Sequence, residues 1–298
     1  MVVKIIQIIL YPLMALMIGI FFLGLARKIM ARIQWRYGPP LIQPIIDMIK
    51  LFNQNSVSHG FMFNFGIIFS LVGSVIVVLF LPFGGICPLS SSGGLLVILY
   101  IMLFAPLGVA LSGGEGANPN ISIGISRKLI LALGYEVPFL LAILAVMTHY
   151  ETISIVEVVK IQQNAGWAIF SLPLFLSGIA YLMILPAILG LRPFDMASAP
   201  QEISSGPMAE YSGKFLALMS IEHAFGLFIG IALFVNLFLG GASNALIFFF
   251  KMLAVFTALI CVNAVYPRFR IEQALKYLWK WPTLLAFTGL VIVSVIGR

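Results

Sequence analysis

Four ionisable residues interrupt the apolar runs of this sequence: Glu136, Glu222 with its neighbour His223, and Lys251. Such groups are costly in lipid and mark paths for ions or protons. Neighbouring carboxylates in a dry setting have raised pKa values and exchange protons readily. Pro138 removes a helix hydrogen bond just beyond Glu136, which favours local water. His223 projects about 100° away from Glu222 around a helix, so it reads as a packed, hydrogen-bonded histidine. Lys251 stands near the end of its run, where snorkelling to the interface competes with a role in ion transfer. Three further acids, Asp195, Glu202 and Glu210, share one polar stretch between two apolar runs.

The elements that must position these residues are membrane helices. The chain has 298 residues, 61% hydrophobic and 9% charged, with a mean hydropathy of +1.11. A soluble chain carries about a quarter charged residues. Runs of about 20 apolar residues cross a hydrocarbon core of roughly 30 Å, and only helices satisfy the backbone there without closing a barrel. The runs predict eight spans, at 5–25, 61–82, 94–111, 129–147, 167–189, 215–237, 245–266 and 281–297. The first follows Lys4, but it is long for a signal peptide and arginines come after it, so it reads as a helix. The expectation is an all-α, single polytopic domain over residues 1–298. Glu136 and Glu222 each lie seven residues into their spans, roughly 10 Å down, in one layer.

Basic residues orient the spans. The odd loops hold Arg27, Lys28, Arg32, Arg36 and Lys50, then Arg127 and Lys128, then Arg192 and Lys214, then Arg268, Arg270, Lys276 and Lys280. Among the even loops only the fourth has one, Lys160. The odd loops are therefore cytoplasmic and both termini face outward. The same pattern accounts for the net charge of +7 without nucleic acid. Gln43, Asp47 and Lys50, with isoleucines between them, suit a short amphipathic helix at the membrane surface. Cys87 and Cys261 lie far apart and no C-x-x-C occurs, so no iron–sulfur cluster or metal is expected on this chain. No P-loop or dinucleotide-binding glycine motif occurs either. No internal repeat of the kind found in many secondary transporters is visible, which argues against a stand-alone ion transporter.

Several stretches, in order, carry a resemblance. Arg36-Tyr37-Gly38-Pro39-Pro40 with Gln43-Pro44 and Asp47-x-x-Lys50-Leu51, then Tyr135-Glu136-Val137-Pro138, then Pro193-Phe194-Asp195 through Glu210-Tyr211-Ser212-Gly213, then Pro267-Arg268-Phe269-Arg270, resemble the complex I subunit that links membrane arm and peripheral arm. The form of the first and fifth loops is similar to that in membrane-bound [NiFe]-hydrogenases and related respiratory complexes. The resemblance implies a non-catalytic, multi-pass subunit of the cell membrane that couples electron transfer to H⁺ or Na⁺ translocation. It assigns ion transfer to Glu136, Glu222, Asp195, Glu202 and Glu210, and His223 and Lys251 join them as candidates from the residues alone. It implies iron–sulfur clusters, and a nickel–iron centre, on partners: a peripheral iron–sulfur subunit, a hydrogenase-like large subunit and antiporter-like membrane subunits. Together with the charge asymmetry it makes Arg32, Arg36, Asp47, Lys50, Arg192, Arg268 and Arg270 the docking surface for the peripheral arm.

Sulfur-reducing and quinone-reducing complexes remain as alternatives. Ser198 and Pro200 stand where the quinone enzymes typically carry two more acids, and the first loop is short. Both features predict that this chain does not serve a quinone.

Overall fold

The structure is a computed structural model describing residues 2–90, 94–116 and 118–296. Helices dominate, and a Phe83–Ile86 bridge is the one β-type contact among the described residues. The helices are α1 (Val2–Ile33), α2 (Gln43–Phe52), α3 (Phe61–Phe80), α4 (Gly94–Met102), α5 (Phe104–Gly113), α6 (Pro119–Tyr150), α7 (Ile155–Ala165), α8 (Leu172–Ile188), α9 (Pro200–Ile203), α10 (Gly213–Phe238), α11 (Ala245–Val265) and α12 (Ile271–Ile296).

Among the described residues, seven segments are long and apolar enough to cross a membrane: α1, α3, α4 with α5, α6, α10, α11 and α12. The eighth expected span corresponds to α8, which has 17 residues. At 1.5 Å per residue it covers about 26 Å, a little short of a typical core. A short 3-10 turn at Ala168–Phe170 precedes it and completes the predicted run. The third span is broken at Leu103 between α4 and α5. Pro106 lies in the first turn of α5, where its missing N–H and its clash with the preceding turn prevent one continuous helix. Gly297, the last residue of the eighth predicted span, lies outside the described residues.

The long helices exceed the bilayer. With 32 residues, α6 spans about 48 Å, so Arg127 and Lys128, expected in a loop, sit inside its cytoplasmic end. Asn118 caps this helix by accepting from the Asn120 N–H at 3.0 Å. Helix α10 is the central element, with most of its side chains buried. It packs against α1 and α3 on one side and α8 on another, while α6, α8 and α12 form a second group. Small residues permit the closest approaches. A Cβ at Gly19 would collide with the backbone of Ala224, and one at Gly66 with that of Gly108.

Among the described residues, two helices of ten residues or more lie outside the spans. The amphipathic α2 was expected; it buries Pro44 and Met48, the latter beside Ile20 and Ala224, and exposes Ile46 and Ile49. The second, α7, falls in the outward fourth loop. Its buried Gln162 donates to the Leu237 carbonyl at 2.8 Å, which ties it to the end of α10.

Candidate functional site

A cavity of about 870 Å³ enters the bundle at the helix ends that carry the odd loops. Most of its wall is apolar, from α4, α5, α8 and α10, with Met102, Val109 and Leu227 as examples. Arg36, Arg192 and Lys128 stand around it on the odd-loop side, and Tyr135, Glu222 and His223 inside the span region. The short first loop does not limit the cavity, because transmembrane helices supply the wall.

Glu222 lies about 13 Å along α10, is buried and lines this cavity. Glu136 is half-buried on α6. Tyr135, one residue before it, lies on the same helix. Glu222 and Tyr135 meet the cavity, while Glu136 is not part of its lining. Pro138 stands within an unbroken α6, where it leaves the Gly134 carbonyl without its helical partner. The packed-histidine expectation for His223 is corrected: its side chain is exposed because it faces the cavity. The sequence suggested helix contact at that angle, and the space beside α10 is cavity instead.

The acids of the fifth loop are held in an ion-pair lattice. Arg268 reaches Asp195 at 3.2 Å and Glu202 at 3.7 Å. Arg127, from α6, binds the other oxygen of Glu202 at 2.7 Å. This charge-assisted contact holds the Glu202 carboxyl below the usual carboxylate range. Ser198 donates to the remaining Asp195 oxygen. Glu210 points elsewhere, toward His59 Nε2 at 3.8 Å. Tyr211 donates to Ser112 Oγ at 2.9 Å, and burial pushes its phenol up. The loop enters as Arg192-Pro193 in the cis form, and Asn263 of α11 fastens that point by accepting from the Arg192 N–H at 3.0 Å.

Lys251 is separate from these groups. It donates to the carbonyls of Leu239 and Gly241, both at 2.6 Å, and lies over the Trp167 ring at 4.4 Å. A cation there complements the C-terminal end of the α10 dipole.

The docking candidates divide into two groups. Lys50 and Arg270 are exposed, and Arg32 stacks over the Tyr37 ring at 4.9 Å. Arg36 and Arg192 are exposed at the cavity. Arg268 is drawn inward by the loop acids, and Asp47 is engaged by Arg27 at 2.8 Å and by Gln43. Those contacts lower the Asp47 carboxyl, the Arg27 hydrogen bond most. Sequence reasoning missed Trp35, 98% exposed beside Tyr37, Lys128 and Tyr135 in the cavity, and Glu115, which caps α3 through the Phe63 N–H at 2.6 Å. Trp35, next to the basic motif, was the most visible of these signals. Among the described residues no group of three or more His, Cys, Asp or Glu is placed to hold a metal ion.

An all-helical, multi-pass chain with a buried carboxylate beside a cavity defines an integral membrane subunit. The family model described as NADH dehydrogenase matches residues 4–294, and the chain belongs to that family. It is 30% identical over 292 residues to the H-type subunit of the NADH-quinone oxidoreductase of Dehalococcoides mccartyi strain CBDB1, covering 92% of this chain and 81% of that one. It is 28% identical to the H-type subunit of the F(420)H(2) dehydrogenase of Methanosarcina mazei, with 89% and 86% covered. Its fold matches a chain of the membrane-bound sulfane sulfur reductase, an archaeal respiratory membrane complex, with a TM-score of 0.93, 40% identity, and 97% and 99% covered. The chain is accordingly a multi-pass component of a multisubunit, complex I-related respiratory complex in the cell membrane.

Proposed function

We propose that this subunit couples electron transfer in a peripheral arm to H⁺ or Na⁺ translocation through Glu222 and Glu136. The observation that carries the reading is that Glu222 and Tyr135 share the wall of one cavity with Asp195 of the fifth loop. A proton or cation arriving at Asp195 reaches Glu222 across the cavity. Tyr135, next to Glu136 in sequence and on the cavity wall with Glu222, relays to Glu136 and on to antiporter-like membrane partners. Glu202, Glu210 and His223 tune the entry. The iron–sulfur clusters, and a nickel–iron centre, belong to a peripheral iron–sulfur subunit and a hydrogenase-like large subunit docked on the cytoplasmic loops. Likeness to the sulfane sulfur reductase chain, at 40% identity, favours an acceptor such as protons or sulfur compounds. The roomy cavity favours a quinone as the second reading.

The test replaces each carboxylate in the intact complex. Glu136→Gln and Glu222→Gln keep size and hydrogen bonding but carry no titratable proton. Each should cut ion movement in proteoliposomes at least tenfold while leaving the complex assembled. Ion transport at the wild-type rate in both variants and in the double variant rejects the relay.

A further inference from the structure

We propose that the cavity is a binding site for an anionic acyl-chain amphiphile, with the head group held by Lys128, Arg192 and Arg36 and the chain laid along the apolar wall. These three cations line the cavity, and none has an ion-pair partner among the described residues. Arg27, also on the lining, is neutralised by Asp47, and Asp195 by Arg268. That leaves three cations against the single carboxylate of Glu222. Cations set at a low-dielectric space attract an anion, and charge-assisted hydrogen bonds to guanidinium and ammonium groups are among the strong ones. The structure separates neighbouring charges to achieve this: Arg127 turns outward to Glu202 at 2.7 Å, while the adjacent Lys128 faces the cavity.

The rest of the lining supplies the other half of the ligand. Met102, Val109 and Leu227 exemplify a wall that runs into the span region. Its volume, about 870 Å³, is toward the upper end of ligand sites, roughly 300–1,000 Å³. A neutral ring-headed lipid would use this wall but leave the cations unmatched. An acyl chain ending in carboxylate or phosphate satisfies both, whether the source is a free fatty acid or an anionic phospholipid.

The experiment uses the intact, delipidated complex in neutral detergent. A photoreactive oleate carrying a diazirine near its tail is cross-linked and the labelled peptides are mapped. Competition is measured with oleate, methyl oleate, phosphatidylglycerol, phosphatidylcholine and decyl-quinone. Label should fall on α4, α5 or α10, and anionic competitors should displace it at least about tenfold better than their neutral counterparts. Affinity should rise up to roughly fourfold per added methylene from laurate to palmitate. Displacement by oleate alone identifies a fatty acid, and displacement by phosphatidylglycerol as well identifies a phospholipid; either supports the site. The double substitution Lys128→Gln, Arg192→Gln should weaken binding about tenfold or more. If those variants fail to assemble, the wild-type comparison of anionic with neutral competitors still decides. Equal displacement by neutral and anionic amphiphiles, preferential displacement by the quinone, or label confined to outer lipid-facing surfaces overturns the proposal.

Discussion

At the scale of single residues, the same ionisable type does different work according to what surrounds it. Glu222 meets a cavity, whereas Lys251 meets two backbone carbonyls at the outward end of α10. The second arrangement is that of a helix cap. Lys251→Met should leave ion transport at its wild-type rate and lower stability by about 2 kcal/mol, read as a fall in the thermal midpoint of the detergent-solubilised complex. Loss of transport with an unchanged midpoint would put Lys251 in the ion path instead. Glu136, Glu222 and Lys251 were legible in the sequence because a charge within an apolar run has no ordinary explanation. Lys128 and Tyr135 were not. A lysine at a helix end looks like an orienting charge, and a tyrosine fits a core as well as a cavity. His223 was misread for the same reason: periodicity gives a direction around the helix but does not say whether protein or empty space lies there.

At the scale of elements, apolar length revealed the spans, and the polar stretches between them were less legible. Helix α7 was missed because its 11 residues lie in a loop too short and too polar to read as a membrane element. The break at Leu103 had a signal in Pro106, but the apolar run passes through it without interruption. The fifth loop shows what the sequence leaves open: three acids were visible, yet the partners of Asp195 and Glu202 come from α6 and from the segment before α12, and that of Glu210 from the segment before α3. Arg268→Gln removes the group shared by Asp195 and Glu202, so hydrogen exchange in residues 195–210 should quicken at least severalfold. The same lattice predicts a pH dependence. The folded-state pKa of Glu202 lies below its unfolded value, ordinarily about 4.3. Its contribution is therefore present above that value and is lost as pH falls through the folded-state pKa. Exchange corrected for its intrinsic pH dependence should stay slow at about pH 6 and rise near pH 3. A loop equally protected at both values would show that the ion pairs do not hold it.

At the scale of the whole molecule, the charge bias predicts which end of the bundle meets the rest of the complex. Cysteines placed singly at Ser90 and Ser204, both exposed, in a background lacking Cys87 and Cys261 should label from opposite sides of sealed vesicles. Labelling from one side would reverse or reject the topology. The cytoplasmic end then carries two kinds of surface. Arg268 and Asp47 are consumed internally, so their substitution disturbs the fold before it disturbs a partner. Trp35 and Tyr37 are 98% and 86% exposed, with Arg32 stacked on Tyr37 and Lys50 and Arg270 free to the cytoplasm. An exposed tryptophan flanked by tyrosine and arginine has the composition of an interface hot spot, where few residues carry most of the binding energy. Trp35→Ala should cost the peripheral arm about 2 kcal/mol or more of affinity, roughly thirtyfold, while Lys50→Glu and Arg270→Glu should slow association and steepen loss of the arm with salt. The measurement is the yield of the soluble arm co-purifying with this subunit across a salt series. Retention at the wild-type level in the Trp35 variant and in the double charge reversal would move the docking surface off these loops. Retention in the charge reversal alone would leave the aromatic pair as the anchor, with the basic residues serving only membrane orientation.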